Sequence, residues 1–148
     1  LKMTDIQAAI GSAQMDKLPG FCDNRRINFT RWMRIFSNYE KFFILPEATS
    51  KSDPAWFAFI VTLREDAPFT RDQLTAHLNA NFIETRNLFA GNMTRQPGFE
   101  KRDWRIADHL TNTDYITDQT FFLGTYPGLE SEMFDYTADI LDKYLTNL

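Results

Sequence analysis

The chain has 148 residues, of which 43% are apolar and 24% charged, and its net charge is −4. This composition is typical of one globular domain with a hydrophobic core and unlike that of disordered proteins. The acidic balance argues against nucleic acid and anionic membranes, which require a basic excess. One cysteine excludes an internal disulfide and a four-cysteine zinc site. We expect a cytoplasmic protein, because no apolar run approaches the roughly 18 residues of a membrane span.

Two helices are predicted at the start of the chain. Thr4 and Gln7 form a capping-box pattern, and apolar residues then recur at helical spacing up to Pro19-Gly20, where we expect the first helix to end. Its small residues allow close packing against another element or subunit. Asp23 or Asn24 is expected to cap the second helix. The apolar stripe of that helix consists of Phe29, Trp32, Met33 and Phe36. Its arginines are interpreted as a solvated basic face, formed by Arg25, Arg26, Arg31 and Arg34.

The middle of the chain alternates strands with a helix. Residues 42–45 and 56–63 are apolar runs that predict strands. Thr70 and Gln73 form a second capping box before a third helix. The apolar face of this helix is expected to carry Leu74, Leu78 and Phe82.

The last third contains two further predicted strands and a long helix. Residues 83–89 and 120–123 are expected to be strands, and residues 112–118 one helical turn. The final helix is expected to begin near Ser131. This order of elements predicts an α+β fold with a small, mainly antiparallel sheet covered by helices.

Candidate nucleophiles and metal ligands are few. Cys22 lies near no helix-start glycine motif and is interpreted as a half-buried thiol. His77 and His109 are isolated and have no metal-ligand spacing. We also find no motif of a hydrolase, a metalloprotease or a nucleotide-binding loop. The sequence therefore predicts no catalytic residue and no metal site in this chain.

The polar segment 85–97 surrounds a glycine loop that follows a predicted strand. Arginine offers a planar fork of donors for phosphate or carboxylate, and asparagine and glutamine both donate and accept, as sugar hydroxyls require. A phenylalanine ring could supply a flat apolar surface. From the residues alone, these side chains could equally satisfy the backbone of the loop. The candidate binding residues are Arg86, Phe89, Gly91, Asn92, Arg95 and Gln96.

Three stretches carry a family resemblance that covers nearly the whole chain: LKMTDIQAAIGSAQMDKLPGF, ETRNLFAGNMTRQPGF and FFLGTYPGLESEMF. They resemble the C-terminal part of the sugar aminotransferase and dehydratase family that uses vitamin B6 cofactors. The LFAGNMTRQP run is similar to a narrower branch. That branch consists of lipopolysaccharide-biosynthesis 3-dehydratases that act on CDP-4-keto-6-deoxyglucose and lead to O-antigen dideoxyhexoses.

The resemblance implies a fold-type-I homodimer whose large domain holds pyridoxal or pyridoxamine phosphate (PLP or PMP). Residues 1–20 would be the tail of that large domain and residues 21–148 the small C-terminal domain. In the narrow branch a histidine replaces the Schiff-base lysine, and an iron–sulfur cluster and a reductase partner take part. These groups would lie outside this chain, which starts at Leu1 and is expected to be a fragment that binds no cofactor by itself. Its candidate residues would face a nucleotide sugar.

Three alternatives to a substrate-covering dehydratase domain stay open. The parent could be a sugar aminotransferase, which a lysine base would favour over the histidine of a dehydratase. The chain could instead be a noncatalytic carbohydrate- or nucleotide-binding module that uses Phe89 and the arginines. It could also be a dimerisation domain without a ligand.

Overall fold

The computed structural model describes residues 2–147, which form five α-helices and four short strands. The helices are α1 (Asp5–Met15), α2 (Leu18–Phe36), α3 (Arg71–Ala80), α4 (Thr111–Gln119) and α5 (Ser131–Thr146). The strands are β1 (Phe43–Ile44), β2 (Ala58–Leu63), β3 (Arg86–Asn87) and β4 (Thr120–Gly124). Single 3-10 turns follow α2 at Ser37–Tyr39 and precede α4 at Met93–Arg95.

Both predicted capping boxes are confirmed. The Thr4 hydroxyl accepts a hydrogen bond from the Gln7 N–H, and the Gln7 side chain accepts one from the Thr4 N–H. Thr70 and Gln73 make the same reciprocal pair at the start of α3. Each box satisfies two backbone donors that a helix start leaves unpaired, so both helices begin where local sequence directs.

The strands form one antiparallel sheet in the order β1-β2-β4-β3. Strand β2 alternates: Phe59, Val61 and Leu63 are buried under the helices, whereas Ile60 and Thr62 on the other face are half-buried. The register places Ile60 opposite Phe122 of β4. Helices α2, α3 and α5 supply the other side of the core. The α+β expectation is therefore confirmed.

Aromatic rings fill the core between α2 and the sheet. Phe36 is fully buried, and its ring centroid lies 5.2 Å from that of Phe59 and 5.4 Å from that of Phe43. Such tilted and edge-to-face contacts suit the ring quadrupoles and add to the free energy of burial. The predicted α2 stripe is confirmed, with Phe29, Trp32 and Phe36 buried and Met33 packed against the core.

Pro19-Gly20 lies in the first turn of α2 and does not end α1. Helix α1 ends at Met15, and α2 begins at Leu18. A proline is tolerated in a first turn, because its missing N–H would have no partner there. The prediction that Asp23 or Asn24 caps the second helix is wrong, since both residues lie inside α2.

Helix α1 contributes nothing to the core. None of its residues is buried, and Ile6 and Ile10 are 75% and 60% exposed. The close packing predicted for its small residues is therefore not made within residues 2–147. An isolated helix of 11 residues is marginal in water, so α1 needs a partner for its apolar side chains.

Two predictions between α3 and α4 are wrong in extent. Phe82 does not continue the apolar face of α3: it follows the helix at a φ of 60°, and its side chain is 96% exposed. The strand predicted over residues 83–89 is reduced to Arg86–Asn87, because only these residues pair with β4.

Tyr39 couples the end of α2 to α5 through a hydrogen bond from its hydroxyl to Asp142 Oδ1 at 2.7 Å. Burial, together with this bond, raises the pKa of Tyr39 from 10.0 to about 12. The neutral phenol thus stabilises the fold below pH 10.0, and this contribution is lost as the pH rises through about 12.

We predict that Tyr39→Phe is less stable than the wild type at neutral pH and that the difference shrinks above pH 10.0. Urea unfolding of both proteins over a pH series measures the difference in the free energy of unfolding. A difference that stays constant up to pH 12 would contradict the assignment.

Candidate functional site

Arg86 projects from the edge strand β3 and is largely free of the core. Its side chain is 68% exposed. Nη2 and Nε donate to Glu84 Oε1 at 2.8 and 2.9 Å. An exposed pair of this kind is held weakly, so a ligand anion could take the place of the glutamate.

Phe89 presents its ring to solvent from a left-handed turn. Its φ is 46°, and the side chain is 74% exposed. The ring centroid lies 5.8 Å from that of Phe122 and 6.1 Å from that of Phe57. A non-glycine residue at positive φ is strained, and such strain is concentrated at functional sites.

Gly91 and Asn92 are clamped onto α4. Gly91 has a φ of 59°, and a Cβ there would lie 2.6 Å from Thr117 Cγ2. The Asn92 N–H donates to Thr117 Oγ1 at 2.7 Å, and Asn92 Nδ2 donates to Asp114 Oδ1 at 2.7 Å. Asn92 is only 3% exposed. These bonds satisfy the asparagine inside the chain, in agreement with the alternative interpretation that the sequence left open.

Arg95 and Gln96 complete this clamp. Arg95 Nη1 donates to Asp118 Oδ2 at 3.0 Å and to Asp114 Oδ1 at 3.3 Å. The hydrogen bond to Asp118 raises the pKa of Arg95, and the same bond lowers the pKa of Asp118. Gln96 Nε2 donates to the Ala90 carbonyl. The loop is thus held by side chains that the sequence offered as ligand contacts.

Four of the six candidate residues lie in three separate surface hollows: Arg86 in the first, Phe89 in the second, and Asn92 and Arg95 in the third. The main cleft, of about 780 Å³, has Arg25, Phe57, Glu84, Arg86, Phe122 and Tyr136 in its wall. The aromatic hollow, of about 290 Å³, contains Trp56, Phe57, Ile60, Leu88, Phe89 and Phe122. The loop groove, of about 560 Å³, contains Asn92, Thr94, Arg95, His109 and Asp114. Phe57 and Phe122 separate the first two, and Gly91 and Gln96 line none of the three.

Arg25 is the side chain of the main cleft that the sequence interpretation missed. It was expected on a solvated basic face, yet Nη1 donates to the carbonyls of Trp56 and Phe57, both at 3.1 Å. The signal was present in the spacing of Arg25, Asn28 and Trp32, which places three donors on one side of α2. Arg26, by contrast, stays on that face, where it pairs with the exposed Asp53 and Asp23.

The described residues supply little chemistry of their own. No group of acidic, histidine or cysteine side chains among residues 2–147 could hold a metal ion. The wall of the main cleft, as far as the structure describes it, contains neither lysine nor histidine. Cys22 is half-buried, as predicted, and His77 packs on the Tyr144 ring at 4.7 Å. Across the same residues, no helix has the length and apolar character needed to cross a membrane.

We predict that Gly91→Ala lowers the free energy of unfolding by about 1–3 kcal/mol, because it strains the backbone and crowds Thr117. The matched control is Gly98→Ala, where a Cβ meets no atom within 4 Å and which should change stability by less than about 0.5 kcal/mol. Urea denaturation compares them. Equal losses of stability in the two variants would show that the loop around Gly91 is not held rigidly against α4.

Residues 1–142 match the DegT/DnrJ/EryC1/StrS aminotransferase family. The chain is 44% identical over 144 residues to the lipopolysaccharide biosynthesis protein RfbH of Salmonella typhimurium, covering 97% of this chain and 33% of that protein. It is also 44% identical over 145 residues to the dTDP-4-dehydro-2,6-dideoxy-D-glucose 3-dehydratase of Saccharopolyspora spinosa, covering 98% and 31%. The chain therefore spans about a third of the length of these relatives.

Solved structures share the fold. The Escherichia coli GDP-4-keto-6-deoxy-D-mannose-3-dehydratase with bound hydrated PLP superposes with a TM-score of 0.80 at 26% identity, over 91% of this chain and 34% of that one. The aminotransferase from Psychrobacter cryohalolentis gives 0.87 at 17% identity, over 99% and 40%, which is a likeness of fold alone. The family match over nearly the whole sequence agrees with the resemblance of its motifs. The chain belongs to the DegT/DnrJ/EryC1/StrS aminotransferase family.

Proposed function

We propose that this chain is the substrate-covering small domain of a B6-dependent nucleotide-sugar 3-dehydratase of O-antigen dideoxyhexose biosynthesis, and that it is inactive alone. One observation carries the proposal: the main cleft is an open, largely apolar wall with no lysine or histidine in its described part. Such a wall can bind and shield a ligand, but it offers neither the lysine nor the histidine that the family resemblance assigns as the base. The 44% identity to a 3-dehydratase, over a third of its length, supports the same conclusion.

The coenzyme belongs to the rest of the parent in this proposal. The described cleft residues do not fit PLP or PMP by themselves, since none can form the imine to the coenzyme or stand in its place. We propose that the large domain of a cytoplasmic homodimer holds the coenzyme, and with it any iron–sulfur cluster and the contact with a reductase. The single Cys22 provides no cluster site here.

Residues 1–20 are proposed to belong to that large domain, and residues 21–148 to the small one. The exposed Ile6 and Ile10 of α1 support this division, because they need an apolar partner that residues 21–147 do not provide. The core begins only with Phe29, about three turns after the start of α2.

The substrate surface is proposed to include all six residues of the loop region, with two kinds of role. Arg86 and Phe89, both exposed, would contact the nucleotide sugar directly. Arg95 and Gln96 would face it from the loop, while Gly91 and Asn92 would hold the loop in shape through α4. The internal bonds of Asn92 support a shaping role over a direct contact.

The full-length parent decides between dehydration and transamination. Incubated with PMP and CDP-4-keto-6-deoxyglucose, a dehydratase eliminates the C3 hydroxyl as water, whereas an aminotransferase transfers the amino group of PMP to C4 and returns a 4-amino sugar and PLP. Mass spectrometry separates these products. A transamination product would overturn the proposal, as would turnover by the 148-residue chain alone.

We predict that Arg86→Ala in the full-length parent raises KM for the nucleotide sugar by about tenfold with little change in kcat, because it removes a charged hydrogen bond to bound substrate. Its melting temperature should barely move, since the pair with Glu84 is exposed. The control is Arg34→Ala, an exposed arginine of α2 outside the main cleft. An unchanged KM, or a large fall in melting temperature, would count against this role.

A further inference from the structure

Arg25 is held rigidly at the wall of the main cleft. Its Nη1 donates to the Trp56 and Phe57 carbonyls at 3.1 Å each and to Thr125 Oγ1 at 3.4 Å. The Thr125 hydroxyl in turn donates to the Trp56 carbonyl at 2.7 Å. All of these acceptors are neutral oxygens at the start of β2 and just beyond β4. The guanidinium is therefore oriented by neutral groups at the ends of the strands, and none of these bonds is an ion pair.

The other edge of this guanidinium has no partner within residues 2–147. A guanidinium carries five N–H donors, and neither Nε nor Nη2 of Arg25 makes a hydrogen bond to a described residue. No described carboxylate pairs with Arg25, whereas Arg26 pairs with Asp53 and Arg86 with Glu84. Arg25 thus contributes to the wall of the main cleft a guanidinium that no described carboxylate pairs with.

We propose that Arg25 binds a phosphate group of the ligand in the main cleft through its Nε and Nη2 donors. The planar fork matches two oxygens of a phosphate, and the site is already oriented before the ligand arrives. The neighbouring Phe57 and Phe122 rings line the same cleft. Glu130 and Glu132 at the first turn of α5 would repel the anion from that part of the cleft. This inference rests on the proposed function in one respect, since a nucleotide sugar carries such a diphosphate.

Inorganic pyrophosphate is the probe, titrated into the 148-residue chain by calorimetry. The wild type should show saturable binding at millimolar concentrations, and Arg25→Lys should weaken it by about tenfold, because lysine keeps the charge and loses the fork. The matched control is Arg26→Lys, which makes the same change one residue along α2, outside the main cleft, and should bind as the wild type does. Equal affinity of all three proteins, or no saturable binding, would overturn the inference.

A second measurement needs no substitution, so it tests the inference even if Arg25→Lys fails to fold. The Nε–H resonance of Arg25 in a nitrogen–proton correlation spectrum should shift with pyrophosphate, and that of Arg26 should not. Shifts of both resonances together would indicate nonspecific screening and would overturn the site. If the parent binds pyrophosphate at Arg25 but catalyses transamination, the proposed dehydratase function is wrong and this inference is confirmed. If the parent is an active dehydratase whose KM does not change with Arg25→Lys, the proposed function is confirmed and this inference is wrong.

Discussion

Three donors on one side of α2 hold the strand ends on which the main cleft depends. Arg25 donates to the carbonyls of Trp56 and Phe57, Asn28 Nδ2 to the Tyr126 carbonyl at 2.8 Å, and Trp32 Nε1 to the Gly124 carbonyl at 2.8 Å. Carbonyls that leave a sheet edge would otherwise be unpaired, at a cost of about 1–3 kcal/mol each where they are buried. The same helix buries its aromatic stripe in the core, so packing and hydrogen bonds together fix the position of α2 relative to the sheet.

The loop that follows β3 is governed by a second polar network, on α4. Asp114, Thr117 and Asp118 occupy neighbouring turns of that helix and accept hydrogen bonds from Asn92 and Arg95. Polar side chains that suit a sugar ligand are therefore already used to shape the loop. What the loop leaves free is apolar or weakly paired, namely the Phe89 ring and the Arg86 guanidinium. A surface of this kind can close over a ligand that another part of the protein activates.

Exposed rings mark the border of this surface. Phe57, Phe82 and Phe89 are 67%, 96% and 74% exposed, and the last two also have positive φ. Exposed rings on strained backbone are unfavourable for an isolated domain, since each exposes apolar area to water. Their position around the main cleft and the aromatic hollow agrees with a domain that functions against a covering partner.

Local sequence determined the capping boxes at Thr4 and Thr70, the aromatic stripe of α2, and the central strands β2 and β4, because capping and side-chain periodicity act over a few residues. It also identified the family, through motifs of consecutive residues. Only the tertiary structure decided that Arg25 faces the cleft, that Asn92 is satisfied by α4, and that β3 pairs over two residues. These outcomes join residues that are 20 to 100 positions apart, as with Asn92 and Asp114 or Arg25 and Thr125, and no local pattern specifies which distant oxygen a donor will meet.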